Sequence, residues 1–216
     1  MSAQFLDDVA RAAFARAVVE IEGRSAVEVV VVVRRESATY RHANVIVGLA
    51  AAVAGLATTL FAAHAFALAA ILIDPFVLGL LAGVVVEKLP QLKRRLTPRA
   101  VLKEHVRRAA RATFVERGVH ATTGRSGVLV YISWLEQELA LIPDLGLAAS
   151  LGADALAKAE AALNAVMPAG GAAVAKELEQ LAAVMAAAMP HRDDDVNELP
   201  DAIDSDLRPE RRRLRP

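Results

Sequence analysis

Asp144-Leu145-Gly146, in the stretch IPDLG, sets a carboxylate two residues before a glycine at the end of an apolar run. Ligands of α/β proteins gather at strand ends, where an acid can orient a ligand or hold a divalent cation. The same Pro-Asp-x-Gly pattern also builds a turn. Asp193, Asp194 and Asp195 add three adjacent carboxylates, which either take a cation or form a solvated acidic stretch. The histidines His42, His64, His105, His120 and His191 fall at no metal-ligand spacing, and the chain has no cysteine, so zinc sites of the usual kinds are not expected. Ser126 in GRSGV precedes an apolar run, whereas the serine of a nucleophile elbow follows a strand, so it reads as a turn residue. No P-loop or dinucleotide-binding glycine loop is present. No catalytic residue is predicted. Asp144 and Gly146 stand as binding candidates, and Asp144, Asp193, Asp194 and Asp195 as candidates for a divalent cation, with no cofactor predicted from the residues alone.

The elements that would position these residues read as two halves of an α/β domain. Phe5, Val9, Ala13, Phe14, Val18 and Ile21 recur at helical spacing up to Gly23. Ala26–Val33 is a nearly continuous apolar run, the mark of a strand covered on both faces. After a long interval Thr97 and Pro98 open a helix that closes at Gly118. Strands are predicted over Gly127–Trp134 and Gln137–Ile142, close enough to form an antiparallel hairpin. Helices follow over Ala153–Val166 and Gly171–Met189. Strand, helix, strand is a right-handed crossover, and the whole reads as a small α/β/α sandwich.

The interval is the most apolar part of the chain. No Asp, Glu, Lys or Arg lies between Arg41 and Asp74, and about 20 helical residues cross a hydrocarbon core. Two spans are expected, Val45–Ala63 and Phe66–Val86, with the turn near His64. Asp74-Pro75 offers another turn, but it would leave the second helix too short to cross. Gly48 and Gly55 in the first span and Gly79 and Gly83 in the second are small residues through which two helices can pack closely. Asp74 then lies inside the second span, where it could serve an ion path. Arg34, Arg35 and Arg41 before the spans, and Lys88, Lys93, Arg94, Arg95, Arg99 and Lys103 after them, place both termini in the cytoplasm. Lys93, Arg94, Arg95 and Arg99 are expected to lie against anionic headgroups.

Segment boundaries follow: 1–42 carries the first helix and strand, 43–89 the transmembrane hairpin, 90–190 the rest of the domain, and 191–216 an acidic then basic tail, largely disordered. Arg211, Arg212 and Arg213 in that tail could touch lipid. Twenty-five basic residues balance twenty-five acidic ones, which gives no reason to expect nucleic acid. The first residues lack the basic start and apolar core of a signal peptide.

GRSGVLVYISWLEQELALIPDLGLAASL resembles the TPM domain of thylakoid-lumen and bacterial envelope proteins. The chain is more similar still to a bacterial branch of predicted membrane proteins, in which a transmembrane hairpin follows the first strand. DDDVNELPDAI resembles that branch's ending. The resemblance implies an α/β/α sandwich at the bacterial inner membrane, and a role in maintaining membrane complexes. For some members it implies a weak acid phosphatase with calcium on loop acids. Of that loop set, the family's Asp-Asn-Gly turn is here Arg125-Ser126-Gly127, and its Gly-x-Gly loop is Asp144-Leu145-Gly146. The expectation is therefore a non-catalytic interaction module or scaffold whose partners are the bilayer and other membrane proteins. The alternatives are a metal-dependent acid phosphatase and an ion-conducting oligomer.

Overall fold

The computed structural model describes residues 5–191, 197–200 and 202–207. The chain divides into two compact units, one of residues 1–37 and 103–216, the other of 38–102.

In the first unit, helix α1 (Asp8–Glu22) is opened by Asp7, whose carboxylate accepts from the Ala10 N–H at 2.8 Å. Its inner stripe is Ala10, Ala13, Phe14, Ala17, Val18 and Ile21. Val9, expected on that stripe, is exposed instead. Strand β1 (Val29–Arg34) pairs in parallel with β2 (Val128–Ser133), which turns back antiparallel into β3 (Glu138–Pro143). Between β1 and β2 runs α5 (Arg99–Glu116), numbered after three helices of the second unit. After β3 come α6 (Leu145–Leu151), α7 (Ala153–Val166), α8 (Gly171–Gln180) and α9 (Ala182–Ala188). The helix expected to run unbroken over Gly171–Met189 is thus interrupted at Leu181.

The valine run of β1 supplies both faces of the sheet. Val29, Val31 and Val33 join α1, α7, α8 and α9 in the larger core. Val30 and Val32, with Leu129, Tyr131 and Ala140, meet Val106 and Ala110 of α5. Helices therefore cover both faces, as a continuous apolar strand requires.

The tail departs from expectation. Asp204–Ser205 forms β4, parallel to β1 at Val32 and Val33, giving the order β3-β2-β1-β4. Leu207 is buried in the larger core. An edge strand exposes unpaired backbone groups, and these tail residues cover part of that edge. Asp193–Asp195 and Arg211–Arg213 lie outside the described residues.

The second unit holds α2 (Arg41–Phe61), α3 (Leu68–Glu87) and α4 (Pro90–Leu96). Helices α2 and α3 are long and apolar enough to cross a membrane. The turn between them falls at residues 62–67, around His64, and Pro75 lies inside α3. The unit is longer than the expected 43–89. Lys93 of α4 reaches Glu87 of α3, and His42 Nε2 lies 2.9 Å from the Thr97 hydroxyl, tying the segment after α3 to the helix pair.

Candidate functional site

The loop ahead of β2 and the loop after β3 come together at one end of the sheet. The Asp144 N–H donates to the Gly127 carbonyl at 2.8 Å, and the Gly146 and Leu147 N–H groups both donate to the Arg125 carbonyl. Arg125 sits at φ 51°, an uncommon conformation for a non-glycine residue. Gly146 is required by this approach: a Cβ there would stand 2.7 Å from the carbonyl oxygens of both Gly124 and Arg125. The two binding candidates, Asp144 and Gly146, are thus joined with the Arg125-Ser126-Gly127 turn.

Asp144 is 4% exposed. Its Oδ1 accepts from the Leu145 N–H at 2.8 Å, with Arg125 Nη1 at 3.9 Å, while buried Oδ2 has no hydrogen-bond partner among the described residues. Ser126 is buried, and its N–H is held by the Thr122 hydroxyl. Glu198, in the NELP stretch quoted above, accepts from the Thr123 N–H through both carboxylate oxygens at 3.1 Å. Buried Glu28 accepts in turn from the N–H groups of Glu198 and Leu199. These two acids hold the tail beside the loop; NELP was their only signal in the sequence, and only for Glu198. A calcium ion takes six to eight oxygens, several of them carboxylate. Among the described residues no three His, Cys, Asp or Glu side chains converge, and Asp144 brings one carboxylate to this loop pair.

The opposite end of β1 and β2 carries a second polar cluster. Glu136 Oε1 accepts from the Ser37 N–H at 2.9 Å, and its Oε2 from the Ser133 hydroxyl at 2.5 Å. The Ser37 hydroxyl donates to Ser133 Oγ at 2.8 Å, with the Tyr131 hydroxyl 3.3 Å away. Burial pushes the Tyr131 phenol above its ordinary value, against the bond from Ser37. Ser133 is fully buried and Glu136 nearly so, so the cluster fixes the chain where it leaves the domain. Nearby, Asp204 of β4 takes the guanidinium groups of Arg34, at 2.6 Å, and of Arg117. The Arg34 hydrogen bond, reinforced by the charges of both arginines, holds the Asp204 carboxyl below its ordinary value against partial desolvation.

In the second unit the four predicted glycines meet along the seam of α2 and α3. A Cβ on Gly48 would stand 2.8 Å from the Gly79 carbonyl oxygen, and one on Gly79 2.7 Å from that of Gly48. Gly55 faces Pro75 and Leu78, and Gly83 faces the Asn44 backbone. Outside the seam the large apolar side chains are exposed, among them Leu49, Val53, Phe76, Leu80 and Val84. Of the four cations assigned to lipid headgroups, Arg95 and Arg99 are exposed and Arg94 is half-buried. Lys93 departs from that role: its side chain is 5% exposed and its ammonium lies 2.6 Å from Glu87. A buried cation needs a partner, and the carboxylate supplies one.

No protein-family model matches the chain, and no curated protein matches it. The fold is similar to the NMR structure of the BA42 protein from the psychrophilic bacterium Bizionia argentinensis, with a TM-score of 0.56 at 14% identity. The match covers 93% of this chain and 95% of that one.

Proposed function

We propose that the chain is an inner-membrane protein in which α2 and α3 cross the bilayer as a hairpin. Both termini are cytoplasmic, and the TPM-like α/β unit is a non-catalytic interaction module for other membrane proteins. The observation that carries this reading is the glycine seam. Small residues face one another and large apolar ones face out, the arrangement expected of a helix pair packed in lipid. The absence of Lys and Arg from residues 42–87 and their abundance on both flanks favour the cytoplasmic placement.

The chain lacks cysteine, so single-cysteine variants give a clean topology test. His64→Cys, in the turn, should react with an impermeant thiol reagent in intact cells. Lys158→Cys, on an exposed position of α7, should react only after permeabilisation. The reverse pattern overturns the topology. The competing reading, a calcium-dependent phosphatase, draws on the unpartnered Asp144 Oδ2. It requires hydrolysis of a phosphomonoester that Asp144→Asn abolishes, and a melting temperature raised by calcium. The interaction module predicts neither.

A further inference from the structure

Asp74 is exposed on α3 among exposed Leu72, Ile73, Phe76, Val77 and Leu80. It is the one Asp, Glu, Lys or Arg in residues 42–86. Six residues separate it from Leu68, which sets it roughly 9 Å along a helix about 30 Å long. The close packing with α2 does not use it: Pro75 and Gly79 face Gly55 and Gly48, and the rotation of about 100° per residue carries position 74 off that seam.

The next residue deepens the deficit. Pro75 has no N–H, so the Ile71 carbonyl one turn earlier loses its ordinary helical donor. The hydroxyls of α2 are committed to their own helix, Thr58 donating to the Ala54 carbonyl and Thr59 to that of Leu56. One level of α3 therefore carries a carboxylate and a carbonyl that lacks its ordinary helical donor, both acceptors, and a lipid tail has no donor for either.

Resting on the membrane reading above, we infer that Asp74 is the docking point for a transmembrane helix of another protein, one that carries a lysine or arginine at the same depth. Charge decides the occupant. A second copy would bring the same two acceptors and no cation, so two Asp74 carboxylates would face each other without a counter-charge. An ammonium or guanidinium brings opposite charge and several donors. Intramembrane charges commonly pair in this way.

The test uses the full chain in phosphatidylcholine vesicles with synthetic Leu/Ala transmembrane peptides, association being read by fluorescence transfer. One peptide carries a single lysine about 9 Å from the end that lies with the turn, a second carries it at the opposite end, and a third carries none. Flotation of the chain with the vesicles is measured first; failure to float overturns the membrane reading and this inference with it. With flotation established, the matched-lysine peptide should bind roughly ten-fold more tightly than either control, the scale of one interhelical polar contact. Asp74→Leu should remove the preference while circular dichroism stays unchanged. Equal binding of the three peptides overturns the inference alone, as does a lysine preference that survives Asp74→Leu. Transfer between copies of the chain that Asp74→Leu abolishes would assign the site to a second copy and overturn it too.

Discussion

At Gly146 one methyl group is enough to disturb the loop pair, because a Cβ would stand 2.7 Å from two backbone carbonyl oxygens that cannot swing aside. Gly146→Ala is expected to cost about 1–3 kcal/mol, the scale of overpacking, and a denaturant series should show the midpoint falling. Gly118→Ala serves as a comparison, since Gly118 has open space but a φ of 67° and so tests backbone strain alone. Asp204 carries a pH dependence. Its folded value is depressed, so its contribution is complete above the ordinary carboxylate range and is lost as pH falls through the folded value. Asp204→Asn should therefore melt below the wild type at neutral pH, by roughly 2–4 °C. The gap should close on acidification below the ordinary value of 3.8, and a gap unchanged down to pH 3 would contradict this role. Asp144 and Gly146 were legible in the sequence because turn chemistry is local. Glu28, which clasps the backbone of Glu198 and Leu199, was not. Its role depends on residues about 170 positions away, and no local pattern marks it.

Elements were legible where a period or an unbroken apolar run specified them. The runs at β1 and β2 announced buried strands, and α7 begins and ends at Ala153 and Val166 as the spacing predicts. Strand β4 is invisible to such reading. It is two polar residues long, and what holds it is the edge of β1 together with Arg34 and Arg117. Lys93 misleads for a related reason: a basic stretch shows charge but not which member turns inward to Glu87. The glycine spacing in α2 and α3 was weak as a pattern in alanine-rich sequence, and the backbone approach gives it meaning. Gly79→Leu should drive the helices apart, because its side chain would enter the Gly48 carbonyl and the Ala52 Cβ. Cysteines at Asn44 and Glu87, whose side chains now hydrogen bond at 2.7 Å, should be joined by a short bis-maleimide. That yield should fall with Gly79→Leu and stay unchanged with Leu80→Ile on the exposed face.

At the scale of the whole molecule, the proposal is a domain interrupted by its own anchor. Residues 38–102 form one compact unit and the chain on either side forms the other, with two cores drawn entirely from the described residues of the interrupted domain. Closing the gap with a flexible linker costs little, since loop entropy changes only with the logarithm of length. The decisive measurement is alkaline carbonate extraction of membranes bearing either the full chain or a variant in which a Gly/Ser linker replaces Arg41–Leu96. The full chain should remain in the membrane pellet, and the variant should pass to the supernatant as a soluble monomer that unfolds cooperatively. A full chain released by carbonate, or a variant that aggregates at every linker length tried, would contradict the anchored-domain reading.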